Sequence, residues 1–218
     1  MPQVGGRANA PLTYGFIGVA VAIQIVQFLA PGVWSTLADQ FALFNALVLF
    51  EGEWYRMFTV VLLHGGITHI LFNMYALYIL GPQLEMQLGR LRYAGLFLAT
   101  AAAGSAFAII LGSPRDVGVG ASGALFGFFG VFAAGAFLNR HTRMGRAQLN
   151  TIGLNLLINA LIPLYVPQVS WEAHLGGFIA GLVFGFVFFR SRGARNQPLH
   201  LALLAVIAVV SVGVALVI

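Results

Sequence analysis

The chain has 218 residues, of which 60% are hydrophobic and only 8% are charged, and its formal net charge at pH 7 is +5. Soluble domains usually carry about 25% charged residues, so this composition excludes an ordinary water-soluble globule and indicates a protein of the lipid bilayer. Cysteine is absent, which excludes disulfides, thiolate catalysis and cysteine-bound metals.

Mostly apolar windows long enough to cross about 30 Å of hydrocarbon recur along the chain. They predict seven transmembrane helices, near residues 12–30, 64–81, 93–112, 121–139, 148–166, 172–189 and 199–218. Between the first two lies the stretch from Pro31 to Arg56, which is too polar to span and is rich in large aromatic residues. We expect it to lie along the membrane interface. No polar linker divides the chain, so residues 1–218 are predicted to form one membrane domain.

The basic residues are eleven arginines, and the predicted spans place most of them on the N-terminal side of the membrane. Those on that side are Arg7, Arg90, Arg92, Arg140, Arg143, Arg146, Arg190, Arg192 and Arg195. Only Arg56 and Arg115 fall on the other side. Because cytoplasmic loops carry the excess of basic residues, the N-terminus is predicted to be cytoplasmic. Interpreted as topology signals, these arginines leave no basic surface for a nucleic acid.

Four polar residues fall inside the predicted spans, where such groups cost free energy and need a structural or functional reason. His69 and Asn73 are four residues apart and share a helix face, while Ser122 begins the fourth span and His174 opens the sixth. From Asn73, Ser122 and His174 to the next arginine there are 17, 18 and 16 residues. The three side chains are therefore predicted to lie at a similar depth.

Each of these residues also has an ordinary structural interpretation. A membrane serine more often bonds to its own helix, and a lone histidine or asparagine more often joins two helices. A serine and a histidine at one depth on different helices are, however, what a nucleophile and its general base require, and an adjacent His/Asn pair can donate to an oxyanion. The conjunction of all four favours a catalytic site with Ser122 as nucleophile and His174 as base.

Glycines recur along the fourth and sixth predicted spans, at Gly123, Gly127, Gly130, Gly177, Gly181 and Gly185. Small residues at every fourth position let two membrane helices approach closely. Gly177 and Gly181 share a face with His174, so close packing of the two helices is predicted to bring the imidazole within about 2.6–3.2 Å of the serine hydroxyl.

Four sequence motifs, in order and on the matching spans, resemble those of the rhomboid intramembrane serine proteases. The stretch from His64 through His69 to Asn73 is similar to the family's HxxxxHxxxN, whose second histidine and asparagine contribute to the oxyanion hole. Residues 81–89 are similar to its GxxxExxxG, and Glu85 takes the position of a structural glutamate.

The other two motifs carry the reacting groups of that family. Gly120-Ala121-Ser122-Gly123 resembles its GxSG, which contains the nucleophile, and residues 173–181 resemble its AHxxGxxxG, in which His174 takes the position of the base. An isolated GxSG is weak evidence, but four motifs in order are specific.

The resemblance implies an all-α membrane protein with a six-helix rhomboid-like bundle, the core over residues 12–190, followed by one extra C-terminal transmembrane helix over 199–218. It implies an intramembrane serine endopeptidase that cleaves transmembrane segments of other membrane proteins near the outer face. The catalytic groups are a Ser122–His174 dyad, and the oxyanion hole is formed by the Ser122 N–H, His69 and Asn73. No metal or cofactor is implied. We expect a bacterial inner membrane from the compact, arginine-only, Ala/Gly-rich chain.

Two positions depart from the family pattern. Tyr55 precedes Arg56 where the family often has tryptophan, so the loop arginine is kept and the aromatic residue differs. Phe126 stands where some members have a tyrosine stacked on the catalytic histidine, and a phenyl ring can stack equally well but cannot donate a hydrogen bond. By analogy, a lateral entrance for substrate is expected near Pro163 to Pro167.

Two other functions fit parts of the sequence. An inactive rhomboid-like protein would bind membrane clients without cutting them, although both Ser122 and His174 are present. A transporter would line a path with polar side chains, and Asn150, Asn155 and Asn159 of the fifth span are candidates for such a lining. The sequence gives no indication of oligomeric state.

Overall fold

The structure is a computed structural model that describes residues 9–161 and 169–218. Within these ranges the chain is almost entirely helical, and strands β1 (Leu43–Phe44) and β2 (Val117–Gly118) pair antiparallel over two residues. The helices are α1 (Pro11–Leu29), α2 (Pro31–Phe41), α3 (Asn45–Glu51), α4 (Arg56–Thr59), α5 (Ile67–Leu88), α6 (Arg90–Leu111), α7 (Ser122–Leu138), α8 (Arg143–Leu161), α9 (Trp171–Arg190) and α10 (Gln197–Val217). Short 3₁₀ turns at Val60–Leu62 and Ala194–Asn196 precede α5 and α10.

Several of these helices are long and apolar enough to cross a membrane. In the described part of the chain they are α1, α6, α9 and the segment Ala194–Val217, which contains α10. A further candidate is Arg56–Leu62 together with α5, two pieces bent by 97°. Helix α7 is apolar but has only 17 residues. The predicted all-α membrane bundle is confirmed, whereas the count of seven spans stays a prediction.

The second predicted span is longer than the sequence indicates. We predict its end near residue 81, before Pro82, but α5 continues to Leu88. A proline inside a helix removes one backbone hydrogen bond. The Gln83 side chain adds a bond in this region by donating to the Ile79 carbonyl at 2.8 Å. The turn that follows the proline is buried through Leu84, Glu85 and Leu88, and this packing holds the helix together beyond Pro82.

The outer end of the fifth predicted span falls outside the described residues. Helix α8 is described as far as Leu161, and residues 162–166 of that span belong to the gap. The entrance expected near Pro163 to Pro167 falls in the same place.

The core lies where α6, α7 and α9 pack together. Its largest fully buried side chains include Tyr93 and Leu96 of α6, Phe128 of α7 and Phe184 of α9. Helix α10 packs mainly against α6, with Leu204 buried in that contact. The extra C-terminal helix therefore covers the side of the bundle rather than entering its centre.

The predicted interfacial stretch folds into short helices that one buried arginine holds together. The Arg56 guanidinium donates to the carbonyls of Asp39 and Ala42, and it pairs with the Glu53 carboxylate. The bond from Arg56 holds the pKa of Glu53 below its usual value. The face of the Phe44 ring lies 5.5 Å from the guanidinium carbon. Arg56 thus bonds to two backbone carbonyls that lie 14 and 17 residues before it in sequence.

A buried carboxylate caps the first membrane helix. Glu85, near the end of α5, accepts hydrogen bonds from the Leu12 and Thr13 N–H groups at 3.0 and 2.8 Å and from the Thr13 hydroxyl at 2.8 Å. The first N–H groups of a helix have no partner within it, and they carry a partial positive charge. At the start of α1, Glu85 supplies both the hydrogen-bond acceptors and the negative charge that these N–H groups lack. No side chain at the N-cap of α1 does so.

Replacing Glu85 with glutamine should lower the free energy of unfolding by about 1.5–3 kcal/mol, the usual value of hydrogen bonds to a charged group. Glutamine keeps the size but offers one acceptor oxygen and no charge. Thermal unfolding in detergent measures the change. The matched control is Glu51→Gln, which alters an exposed carboxylate. Equal stability of the two variants would show that the Glu85 cap does not stabilise the fold.

Candidate active site

Helices α7 and α9 pack with their backbones in direct contact. A Cβ atom on Gly177 would overlap the Gly123 carbonyl, and one on Gly181 would overlap the Gly127 carbonyl. Further along, a Cβ on Gly130 would lie 2.9 Å from the carbonyl carbon of Gly181. The structure thus has the close approach that the glycine spacing predicts, and it places Ser122 and His174 at the same end of the two helices.

A glycine turn positions Ser122 as the first residue of α7. Gly120 has a φ of 123°, which favours glycine, and its N–H donates to the Val60 carbonyl at 3.0 Å. Ser122 itself is half-buried. Since its backbone N–H belongs to the first turn of the helix, no carbonyl within α7 can accept from it. This N–H is available to an anionic group beside the serine.

His174 lies buried in the first turn of α9, and its ring stacks on Phe126. The two ring centroids are 4.0 Å apart and the planes differ by 5°. The Ser170 hydroxyl accepts from the Ala173 N–H at 3.1 Å and donates to the Glu172 carboxylate at 2.9 Å. Glu172, the carboxylate nearest to His174 in sequence, is therefore bonded to the helix cap.

His69 of α5 reaches the turn that precedes Ser122. A Cβ on Gly120 would lie 2.7 Å from His69 Nε2, so the imidazole lies directly against the glycine backbone. The Gly65 N–H donates to His69 Nδ1 at 3.4 Å. A neutral imidazole that accepts at Nδ1 carries its proton on Nε2. The donor of His69 is thus the nitrogen on the side of the serine turn.

Asn73 and His64 complete the polar group on and before α5. Asn73 is buried and donates from Nδ2 to the His69 carbonyl at 2.9 Å, which leaves its second N–H free for another acceptor. The His64 ring is also buried, with its centroid 5.2 Å from that of His69 in an edge-to-face arrangement. Neither nitrogen of His64 has a hydrogen-bond partner among the described residues. His64 contacts His69 by packing alone.

The predicted hydrogen bond between Ser122 and His174 is not formed in this structure. The serine hydroxyl bonds to no described residue, and the imidazole stacks on Phe126. Catalytic hydrogen bonds in free enzymes are often long and tighten only when substrate binds. The two side chains nevertheless lie at the same end of one helix pair.

A third helix, which the sequence motifs do not indicate, meets the site. A Cβ on Gly104 of α6 would lie 2.8 Å from the Ala173 carbonyl oxygen and 3.2 Å from the Gly123 Cα atom. Three backbones therefore meet beside Ser122 and His174. The signal was present in the run of small residues from Ala101 to Ala106, which is also typical of close helix packing.

Together these residues supply the parts of a nucleophilic acyl-transfer site. A serine hydroxyl and an imidazole lie at the ends of two rigidly packed helices, and N–H donors from α5 and from the start of α7 lie beside them. In the described ranges no cluster of His, Asp or Glu side chains could hold a metal ion.

A comparison with protein families decides what the motifs belong to. The family model described as the rhomboid domain matches residues 51–191, well over half of the chain. This chain belongs to the rhomboid family. With its apolar helices, the rhomboid chain is an integral multi-pass membrane protein.

Curated relatives come from bacteria and plants. The putative rhomboid protease YdcA of Bacillus subtilis (strain 168) is 32% identical over 145 residues, covering 66% of this chain and 72% of YdcA. The rhomboid protease GluP of the same organism is 32% identical over 180 residues, or 79% of this chain and 34% of GluP. RHOMBOID-like protein 5 of Arabidopsis thaliana is 35% identical over 139 residues, which cover 63% of this chain and 45% of the plant protein. The match thus spans less than half the length of GluP and of the plant protein.

Replacing Gly181 with leucine should destabilise this rhomboid protein, because the new side chain would overlap the α7 backbone, which cannot rotate away. Overpacking of this kind typically costs about 1–3 kcal/mol. Gly213→Leu on α10 is the matched control, since a Cβ there meets nothing within 4 Å. Thermal unfolding in detergent compares the two. Equal melting temperatures would show that the α7–α9 contact contributes nothing to stability.

Proposed function

We propose that this rhomboid protein is an intramembrane serine endopeptidase, with Ser122 as nucleophile and His174 as general base, that cleaves transmembrane segments of other membrane proteins. The observation that carries the proposal is the α7–α9 contact, which sets both side chains at one end of a helix pair whose backbones cannot slide. Two bacterial relatives are named as a rhomboid protease and a putative rhomboid protease, which supports the same reaction class.

In the proposed reaction, the Ser122 hydroxyl rotates toward His174 and gives the imidazole its proton. The oxygen attacks a scissile carbonyl, and His174 then protonates the leaving amine. Water, activated by the same imidazole, hydrolyses the acyl-enzyme. The Phe126 stack keeps the ring plane fixed through these steps. Because Glu172 is bonded to the α9 cap, the proposal is a dyad without an acidic third member.

The oxyanion hole is proposed to consist of the Ser122 N–H, the His69 Nε2–H and the free N–H of Asn73. The positive end of α7 adds to the field at the same point. None of these groups must reorganise during the reaction, since the glycine turn, the α5 helix and the Asn73 bond to the His69 carbonyl already hold them.

The proposed substrate is a transmembrane segment unwound near the outer face. Ser122 and His174 begin α7 and α9, whose other ends lead to Arg140 and Arg190, so the site lies on the side opposite these arginines. That distribution supports a cytoplasmic N-terminus and an outward-facing site. The membrane is proposed to be a bacterial inner membrane, from the compact, arginine-only, Ala/Gly-rich chain. An intact helix hides its carbonyls in hydrogen bonds, which is why local unwinding is required. The unit that acts is proposed to be a single domain over residues 1–218, with its core over 12–190.

The transporter alternative receives no support from α8. The Asn155 and Asn159 side chains donate to the carbonyls of Thr151 and Asn155, one turn back along their own helix. Such bonds satisfy a polar side chain within a membrane helix without any path. The inactive alternative differs from the proposal only in turnover, which the following variants measure.

Ser122→Ala and His174→Ala should each abolish cleavage of a model transmembrane substrate while the protein stays folded, because a nucleophile and its base act as a unit. Ser211→Ala and His141→Ala are matched controls; Ser211 bonds to its own helix and His141 is exposed. Cleavage in proteoliposomes and labelling with a fluorophosphonate are the measurements. Substantial turnover by purified Ser122→Ala would exclude the proposal, and a parent protein that neither cleaves nor labels would favour the inactive alternative.

His69→Ala and Asn73→Ala should lower turnover by roughly 10²–10³ with little effect on substrate binding, the range found when one oxyanion donor is removed. Asn155→Ala is the control, since it removes the same side chain from α8. Initial rates at several substrate concentrations separate kcat from KM. A variant that kept its kcat but raised KM would assign that residue to substrate positioning instead.

A further inference from the structure

A cleft of about 290 Å³ lies at the other end of the bundle from Ser122 and His174. It is lined by residues from the ends of α5, α6 and α9 and from the turn to α10: Gln87, Arg92, Phe188, Arg192, Gly193 and Ala194. Two of these carry guanidinium groups and none carries a carboxylate. Gly193, with a φ of 124° that favours glycine, lies in the turn between α9 and α10.

The charge of Arg92 has only neutral partners. Its Nε donates to the Leu88 carbonyl, and its Nη1 lies 3.3 Å from His200 Nδ1. Because a guanidinium has donors only, His200 accepts at Nδ1 and its Nε2–H donates to the Ser191 hydroxyl at 2.9 Å. This chain of bonds holds the half-buried Arg92 in place at the cleft without neutralising it.

Arg192 likewise has no anionic partner. Its guanidinium carbon lies 4.5 Å from the Phe189 ring centroid, and the ion pair found among the described residues joins Arg56 to Glu53. Glu85, the acidic residue nearest in sequence to Gln87, is bonded to the start of α1. The cleft therefore presents two positive charges, one from α6 and one from the turn after α9, together with the donor of Gln87, and none of its lining residues carries a counter-charge.

A phosphate group fits this chemistry best. Guanidinium groups bind phosphate oxygens through paired, charge-assisted hydrogen bonds. One water takes about 30 Å³ of liquid volume, so a cleft of about 290 Å³ can hold a phosphodiester with its first waters. The same chemistry would serve a free phosphate ion or the head group of a lipid.

The neighbouring surface favours a lipid. Met86 and Leu91 are next to the cleft residues Gln87 and Arg92 in sequence and are 58% and 65% exposed, and Leu199 near the start of α10 is 51% exposed. In a membrane such side chains face acyl chains, and basic pockets between helix ends bind phospholipid head groups. We propose that this cleft binds the phosphate of an anionic phospholipid of the arginine-side leaflet, chiefly through Arg92 and Arg192. The proposal does not depend on peptidase activity.

Native mass spectrometry of the purified full-length protein with added phosphatidylglycerol tests the site. Arg192→Gln should weaken lipid binding roughly tenfold or more, because it removes a charged donor. Arg195→Gln is the matched control, with the same loss of charge from an exposed residue that does not line the cleft. The parent and the control should retain the lipid, and millimolar inorganic phosphate should not displace it.

Three results would overturn the proposal. Equal binding by Arg192→Gln and Arg195→Gln would show that the cleft does not hold the head group. Displacement by inorganic phosphate would assign the cleft to a free anion. Equal retention of diacylglycerol, which has no phosphate, would show that the apolar surface alone holds the lipid.

Discussion

The contact between the backbones of α7 and α9 is the constraint on which the rest of this rhomboid structure depends. Lipid offers no hydrophobic drive to bring helices together, so close packing of small residues must supply it. Gly123 faces Gly177 and Gly127 faces Gly181, with no side chain between. This packing fixes how far the helices slide and turn relative to each other, and it thereby sets the positions of Ser122 and the His174 ring.

Polar residues stabilise the bundle at its edges, where the glycine contact does not reach. Glu85 satisfies the first N–H groups of α1, and Arg56 satisfies two carbonyls of the interfacial stretch. Both side chains are buried, and both bond to backbone groups that would otherwise face a low-dielectric medium. These two charged residues thus complete the hydrogen bonding of a helix end and a loop.

Helix α9 connects the two sites proposed for this protein. His174 lies in its first turn and Phe188 in its last, about 21 Å apart along an ideal helix. At the second end, His200 anchors α10 through the hydroxyl of Ser191 and the guanidinium of Arg92. Through His200, the extra C-terminal helix therefore holds Arg92, which lines the arginine cleft.

The sequence by itself determined the all-α membrane class, the polar residues that share one depth and the glycine faces, because each follows from composition or helical periodicity. Helical periodicity relates only residues that are near one another in sequence. The features that the sequence did not predict are contacts between segments that are far apart in sequence. Glu85 meets Thr13 across 72 residues, and Gly104 joins the α7–α9 contact from a third helix. Only the tertiary structure decided that Phe126, rather than the Ser122 hydroxyl, orients the His174 ring, since a stacking partner depends on the rotation of both helices.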